Sequence, residues 1–241
     1  MTMKNKGVLG FLGYGTGSFE PFDQSFVRGH HVKTAKLAHS DNNFQLLKDE
    51  LKANCDALVI WGGADISPSL YGETVAPETG ADEEPDRQDM DEARACLAAI
   101  ELGIPLIGVC RGAQLLCALA GGKLVQHVSN HTISHNIITC DGEVMKTSSL
   151  HHQMMWPWQT KHRLLAWSEQ KRSNIYVFNA EHRTDSTSFV EPEVVYFPDI
   201  KGLAIQGHPE FMASTCEFVE YCNRLVREFT HTAMVEKTTI L

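Results

Sequence analysis

The run Ile104-Pro105-Leu106-Ile107-Gly108-Val109-Cys110-Arg111-Gly112-Ala113-Gln114-Leu115-Leu116 constrains the fold more than any other stretch of this chain. Ile104, Leu106, Ile107 and Val109 give the short apolar pattern of a strand buried on both faces in a parallel sheet. The Gly108-x-Cys110-x-Gly112 pattern that follows is a nucleophile elbow with sulfur in place of the serine oxygen. Such a turn presses backbone against backbone, which a missing Cβ tolerates. From Arg111 onward Ala113, Gln114, Leu115, Leu116, Ala118 and Leu119 favour helix, and Gly121-Gly122 stops it. Cys110 is thereby predicted at a helix N-terminus, where the helix dipole stabilises a thiolate and a developing oxyanion.

The rest of the chain supplies the setting. Its 241 residues can bury a sizeable core, and a net charge of −9 argues against nucleic acid or an anionic membrane as the main partner. The chain opens on no signal segment and contains no apolar run of membrane-spanning length, so a cytoplasmic location is expected. Seven scattered cysteines without a C-x-x-C pair fit neither a disulfide framework nor a zinc ribbon.

Val8–Leu12 reads as a first strand, followed by a glycine turn through Gly13, Gly15 and Gly17 whose spacing does not match a dinucleotide loop. Val32 to Leu37 is predicted as a second strand, and Phe44 to Leu51 as a helix capped by Asp41, Asn42 or Asn43. Ala57 to Trp61 is a third strand ending in Gly62-Gly63. Residues 64–86 form a long loop, of a kind that is usually functional, whose acids at Asp82, Glu83, Glu84 and Asp86 read as a solvated surface. A helix over Asp89 to Leu102 leads into the opening strand. This alternation predicts an α/β fold with a mostly parallel central sheet, helices on both faces and sites at the carboxyl ends of the strands. Short β-rich runs follow at 124–125, 137–139, 164–167, 175–178, 194–197 and 203–206, expected to extend the sheet. A last helix spans about 214 or 215 to Phe229.

A base is placed by Gln206-Gly207-His208-Pro209-Glu210. Pro209 keeps His208 out of the helical region, and an extended triplet puts His208 and Glu210 on one side of the backbone. The three residues Cys110, His208 and Glu210 then suit nucleophile, base and orienter.

These residues resemble the class I glutamine amidotransferase-like superfamily, and within it the branch of γ-glutamyl hydrolases and γ-glutamyl-γ-aminobutyrate hydrolases. The resemblance rests on residues 62–73, on Arg87 with Asp89 and Glu92, on Gly108 through Gln114 with Gly121-Gly122, on Ser149-Leu150-His151-His152-Gln153 and on the His208 segment. No repeat, low-complexity segment or long linker divides the sequence, so a single domain over 1–229 and a tail over 230–241 are expected; the resemblance implies a flavodoxin-like amidotransferase fold with an added β-rich portion. It implies hydrolysis of a γ-glutamyl amide through a glutamyl thioester. Backbone N–H groups of Gly63 and Arg111 would form the oxyanion hole, and Gln114, Ser149, His151, His152 and Gln153 would hold the glutamyl group. The implied partner is a small-molecule γ-glutamyl substrate or glutamine, with no cofactor. A glutaminase subunit feeding ammonia to a separate synthetase or ligase is the alternative, and a non-catalytic binding module on the same fold is a weaker one. Oligomeric state stays open. Gly207 stands where that branch usually carries tryptophan, which is expected to remove a wall of the acyl site.

His127, His131 and His135 would align on a helix, but Val128, Ser129, Asn130 and Thr132 form helix poorly, and no nearby carboxylate or cysteine completes a ligand set. No metal site is expected from the sequence.

Overall fold

The structure is a computed structural model, and it describes residues 8–12, 26, 31–35 and 43–238. The glycine turn at Gly13, Gly15 and Gly17, the end of the second predicted strand and the candidate caps Asp41 and Asn42 lie outside these residues.

Five parallel strands carry the site: β1 (Val8–Leu12), β2 (His31–Ala35), β3 (Ala57–Ile60), β4 (Leu106–Val109) and a late strand, β14 (Gly202–Ile205), in the order β2-β1-β3-β4-β14. The intervening strands are β5 (Lys123–Val125), β6 (His127–Val128), β7 (His135–Thr139), β8 (Val144–Thr147), β9 (Met154–Trp156), β10 (Arg163–Ser168), β11 (Tyr176–Val177), β12 (Arg183–Thr184) and β13 (Pro192–Phe197). Of these, β13, β10, β7 and β8 continue the same sheet in antiparallel fashion, giving nine strands among the described residues. Two small sheets, β12-β11-β6 and β5-β9, lie outside it. The runs at 137–139, 164–167, 194–197 and 203–206 thus join the sheet as the sequence leads one to expect, whereas those at 124–125 and 175–178 form β5 and β11 in the two small sheets. The strands that the sequence does not announce, β6, β8, β9 and β12, are two to four residues long, too short for a period to show.

Four helices flank the sheet among the described residues: α1 (Phe44–Asn54), α2 (Arg87–Leu102), α3 (Arg111–Leu119) and α4 (Glu217–Thr238). Alternation along the strands decides which face each one covers. Leu58, Ile60, Leu106 and Ala204 join the core under α1, α2 and α3. Ala57, Val59, Ile107, Val109, Leu203 and Ile205 point the other way and pack with Phe218, Cys222, Leu225 and Val226 of α4. Each such Leu, Ile or Phe, fully buried, contributes about 1.5–3 kcal/mol relative to exposure.

The helix ends follow local chemistry. Asn43 caps α1 by accepting from the N–H groups of Gln45 and Leu46, and Asp86 caps α2 by accepting from that of Asp89. Helix α2 therefore starts at Arg87, and it stops at Gly103, whose φ of +65° suits glycine. The other acids of the loop, Asp82, Glu83 and Glu84, are exposed. Helix α4 runs past Phe229 to Thr238, so its last turns replace part of the tail expected from the sequence. No helix among the described residues is long and apolar enough to cross a membrane.

Candidate active site

The elbow forms where the sequence places it. Cys110 lies between β4 and α3 with φ 52° and ψ −109°, a conformation that a non-glycine residue adopts only under constraint. The constraint is visible on both sides. The Cys110 N–H donates to the carbonyl of Ile205 at 2.8 Å, and its own carbonyl accepts from Gln114 N–H at 3.1 Å, opening α3. A Cβ on Gly108 would lie 2.4 Å from the carbonyl oxygen of Gly112, and a Cβ on Gly112 would lie 2.2 Å from that of Ile60. Both glycines are thus required by close backbone approach.

The adjacent parallel strands deliver the other groups. Ile60 pairs with Gly108 and Ile205 with Val109, so the chain leaving β3 at Gly62-Gly63 and the chain leaving β14 at His208 flank Cys110. A Cβ on Gly62 would meet His208 Cε1 at 3.1 Å and the Cys110 Cβ at 3.5 Å, which shows both side chains gathered under this glycine. The backbone at Gly63 is exposed, and a Cβ there would lie 3.0 Å from the Arg111 Cδ.

His208 and Glu210 meet, but by a different backbone from the one the sequence suggests. Pro209–Phe211 form a short 3-10 turn rather than an extended triplet, proline being pre-shaped for its first position. The turn brings Glu210 Oε1 to 2.7 Å from His208 Nδ1. Phe211 stacks on the imidazole at a centroid distance of 4.9 Å, and Ser148 clamps the backbone, its carbonyl accepting from His208 N–H and its hydroxyl donating to the His208 carbonyl at 2.7 Å. Burial opposes charge on the imidazole, but hydrogen bonds to Cys110 and Glu210 outweigh it and lift the His208 pKa to about 10. By contrast, burial pushes the Cys117 thiol up to about 12 and those of Cys96 and Cys222 well above the ordinary thiol range, leaving them inert packing residues.

Sequence reasoning missed the support behind the elbow. The buried Arg111 guanidinium pairs with Asp89 at 2.5 Å and with Glu92, and Gln88 donates to Glu92 at 2.9 Å. Burial raises the Glu92 pKa, and Arg111 works against that rise. Asp89 also accepts from Ser67 N–H at 3.0 Å, tying the long loop to α2. The available signal was the three-residue spacing of Asp89 and Glu92, which puts two acids on one helix face.

The remaining predicted residues divide into two groups. Gln114 donates from Nε2 to the Gln153 carbonyl at 3.2 Å, Gln153 donates from Nε2 to Thr79 at 2.8 Å, and Thr79 donates to Asp65 at 3.2 Å. His152 lies 3.0 Å from the same carboxylate, joining this chain of contacts beside α3. Ser149 and His151 reach toward a second cluster: the Ser149 hydroxyl donates to the His131 carbonyl, and His151 meets the Gln153 carbonyl through Nδ1 at 2.8 Å while its Nε2 lies 3.6 Å from Glu193. At Gly207 the structure corrects the expectation of an opened wall. A Cβ there would lie 2.2 Å from Thr147 Oγ1 and 2.9 Å from the Ser148 carbonyl oxygen, so that space is already filled.

A cysteine elbow at the carboxyl edge of a parallel sheet, with a His–Glu pair after the neighbouring strand, is the arrangement of the class I glutamine amidotransferase-like superfamily. The chain belongs to the family described as Peptidase C26, whose sequence profile matches residues 37–182. That span holds Cys110 and ends before His208 and Glu210. Over 137 residues the chain is 36% identical to the glutamine amidotransferase-like protein YvdE of Lactococcus lactis subsp. lactis, covering 51% of this chain and 55% of that one. The match thus spans little more than half the length of that relative. In fold it is similar to a GMP synthase-type protein from Thermoplasma acidophilum, described as one subunit of that synthase (TM-score 0.58, 13% identity, 98% of each chain). It is likewise similar to a glutamine amidotransferase from Thermotoga maritima (TM-score 0.50, 13% identity, 98% of this chain and 94% of that one).

Proposed function

We propose that the chain hydrolyses the γ-glutamyl amide bond of a γ-glutamyl amine or of glutamine. The observation that carries this reading is the contact chain Cys110–His208–Glu210 gathered beneath Gly62, with the exposed backbone of Gly63 and the start of α3 beside it.

Cys110 Sγ, with its proton taken up by His208, attacks the side-chain carbonyl carbon. The oxyanion that develops faces the N–H groups of Gly63 and Arg111, where fixed donors at a helix start need no reorganisation. His208 returns the proton to the leaving amine, and a glutamyl thioester remains on Cys110. Water then adds to the thioester as His208 takes its proton, and the collapse that frees glutamate returns that proton to sulfur. Glu210 holds the imidazole through Nδ1 and stabilises its charged form at each step. In this reading Gln114, His152 and Gln153 hold the α-amino and α-carboxylate ends of the glutamyl group, while Ser149 and His151 fix the loop that carries them.

Purified chain offered γ-glutamyl amines and glutamine should release glutamate unaided. A second reading, a glutaminase subunit serving a separate synthetase, shares this chemistry and draws on the fold likeness to part of a synthase. Release of glutamate only in the presence of such a partner would favour it.

A further inference from the structure

His131, His151 and Glu193 come from three separate segments and converge in the interior, away from the Cys110 contacts. The ligating atoms lie within 4.8 Å of one another, and Glu193 is 0% exposed. We propose that they form a structural metal site for zinc or a similar divalent cation, with His131 Nδ1, His151 Nε2 and Glu193 Oε1 as ligands.

The geometry and hydrogen bonding both point there. His131 Nδ1 lies 3.5 Å and His151 Nε2 3.6 Å from Glu193 Oε1, close to the separation of about 3.3 Å between ligands of a tetrahedral zinc ion. Each imidazole has an acceptor oxygen near its other nitrogen, the position such partners take behind metal-bound histidines. His151 Nδ1 faces the Gln153 carbonyl at 2.8 Å, which makes it the N–H and leaves the Nε2 lone pair aimed at Glu193. His131 Nε2 faces Glu191 Oε2 at 3.1 Å, a carboxylate behind an imidazole. Glu191 is itself fixed, accepting from the Tyr176 hydroxyl and from the N–H groups of Arg172 and Ser173. His135 Nε2 lies 2.8 Å from Glu193 Oε1, too close for an ion between them, so His135 donates to the carboxylate from outside the set. Without a metal ion, the His151 Nε2 lone pair faces the Glu193 carboxylate, and His131 can donate to both Glu191 and Glu193 only by carrying a proton on each nitrogen. His151 Nε2, both ring nitrogens of His131 and Glu193 Oε2 are buried with no hydrogen-bond partner, and an ion held by His151 Nε2 and His131 Nδ1 relieves that cost at those two atoms.

The site would tie the turn before β7, the 148–153 loop and β13 together. Gln206 N–H donates to the Glu193 carbonyl at 2.8 Å, and Ser148 clamps His208, so the ion would brace the segment that carries the base from both sides.

The test uses the full chain prepared without a metal-affinity tag. Elemental analysis should find about one zinc per chain, or uptake of about one after chelation and dialysis against zinc, with a rise in Tm. Cobalt(II) should give the intense visible bands of a tetrahedral site, and His151→Gln and Glu193→Gln should lose both the ion and the bands. A chain that binds no zinc or cobalt and whose Tm is unmoved by them overturns the proposal, leaving a cluster held by protons. Equal binding by the variants also overturns it, since the ion then sits elsewhere. Should the variants fail to fold, the cobalt titration of the unaltered chain decides: tetrahedral bands support the site, and the faint spectrum of hydrated cobalt refutes it.

Discussion

His208 and Glu210 are joined through Nδ1 and Oε1 at 2.7 Å by a 3-10 turn that begins at Pro209, and this turn fixes which imidazole nitrogen is left for Cys110. A tautomer held from behind makes the remaining nitrogen available for proton transfer.

Replacing Glu210 with Gln keeps the shape and removes the charge. The account predicts a fall in kcat/KM on the order of 10²- to 10⁴-fold, measured by glutamate release from a γ-glutamyl amide.

The same pair sets a pH dependence of stability. The pKa of His208 is raised in the folded chain, to about 10, from an ordinary value of 6.5. Its contribution is therefore complete below about pH 6.5 and is lost as pH rises through the folded value. Denaturant titrations at pH 6 and pH 10 should show this loss in the native chain and a smaller one in Glu210→Gln. An unchanged pH slope in the variant would contradict the assignment.

The elbow glycines differ in kind from glycines in open turns. A methyl at Gly112 would meet the Ile60 carbonyl at 2.2 Å, both being backbone held in the core, whereas Gly72 at φ +71° has nothing within 4 Å. Gly112→Ala should cost about 3 kcal/mol or more, or abolish soluble expression, while Gly72→Ala should cost about 1 kcal/mol. Urea midpoints of the two variants provide the comparison.

Much of this site was legible in the sequence because its signals are local. An apolar run, two flanking glycines and a run of helix formers thereafter placed Cys110 at the turn into α3, and His-Pro-Glu placed His208 beside Glu210. What was not legible depends on residues far apart in the chain. Arg111 meets Asp89 and Glu92 only because α2 and α3 pack on the same face of the sheet. The histidines at 127, 131 and 135 do not share a helix at all: β6 and β7 bracket a turn with Asn130 at φ 63°, and the carboxylates that reach His131 and His135 sit about sixty residues later on or beside β13. Glu193 lies just before the predicted run 194–197, and only the fold buries it.

Arg111 offers a further check on the elbow. Arg111→Met leaves Asp89 and Glu92 buried without a counter-charge, and should destabilise the chain by about 3–5 kcal/mol. Arg111→Lys keeps one charge but cannot reach both carboxylates in a planar fork, and should recover only part of that loss. Thermal unfolding of the two variants measures the difference.

At Gly207 the prediction is steric. Gly207→Ala drives its methyl into Thr147 Oγ1 and the Ser148 carbonyl, displacing the backbone that holds His208. Activity should fall more than stability, and Thr147→Ala in the same chain should restore part of the activity by removing the nearer atom. A tryptophan at this position should not improve turnover. Steady-state rates of the single and double variants decide the point.

The central claim is that Cys110 is the nucleophile in an amide hydrolysis. Glutamate release from γ-glutamyl amides by the native chain and by Cys110→Ala, compared at matched folded concentration, tests it most directly. The account predicts turnover by the native chain and a rate at the no-protein background for the variant. Undiminished hydrolysis by Cys110→Ala would contradict it.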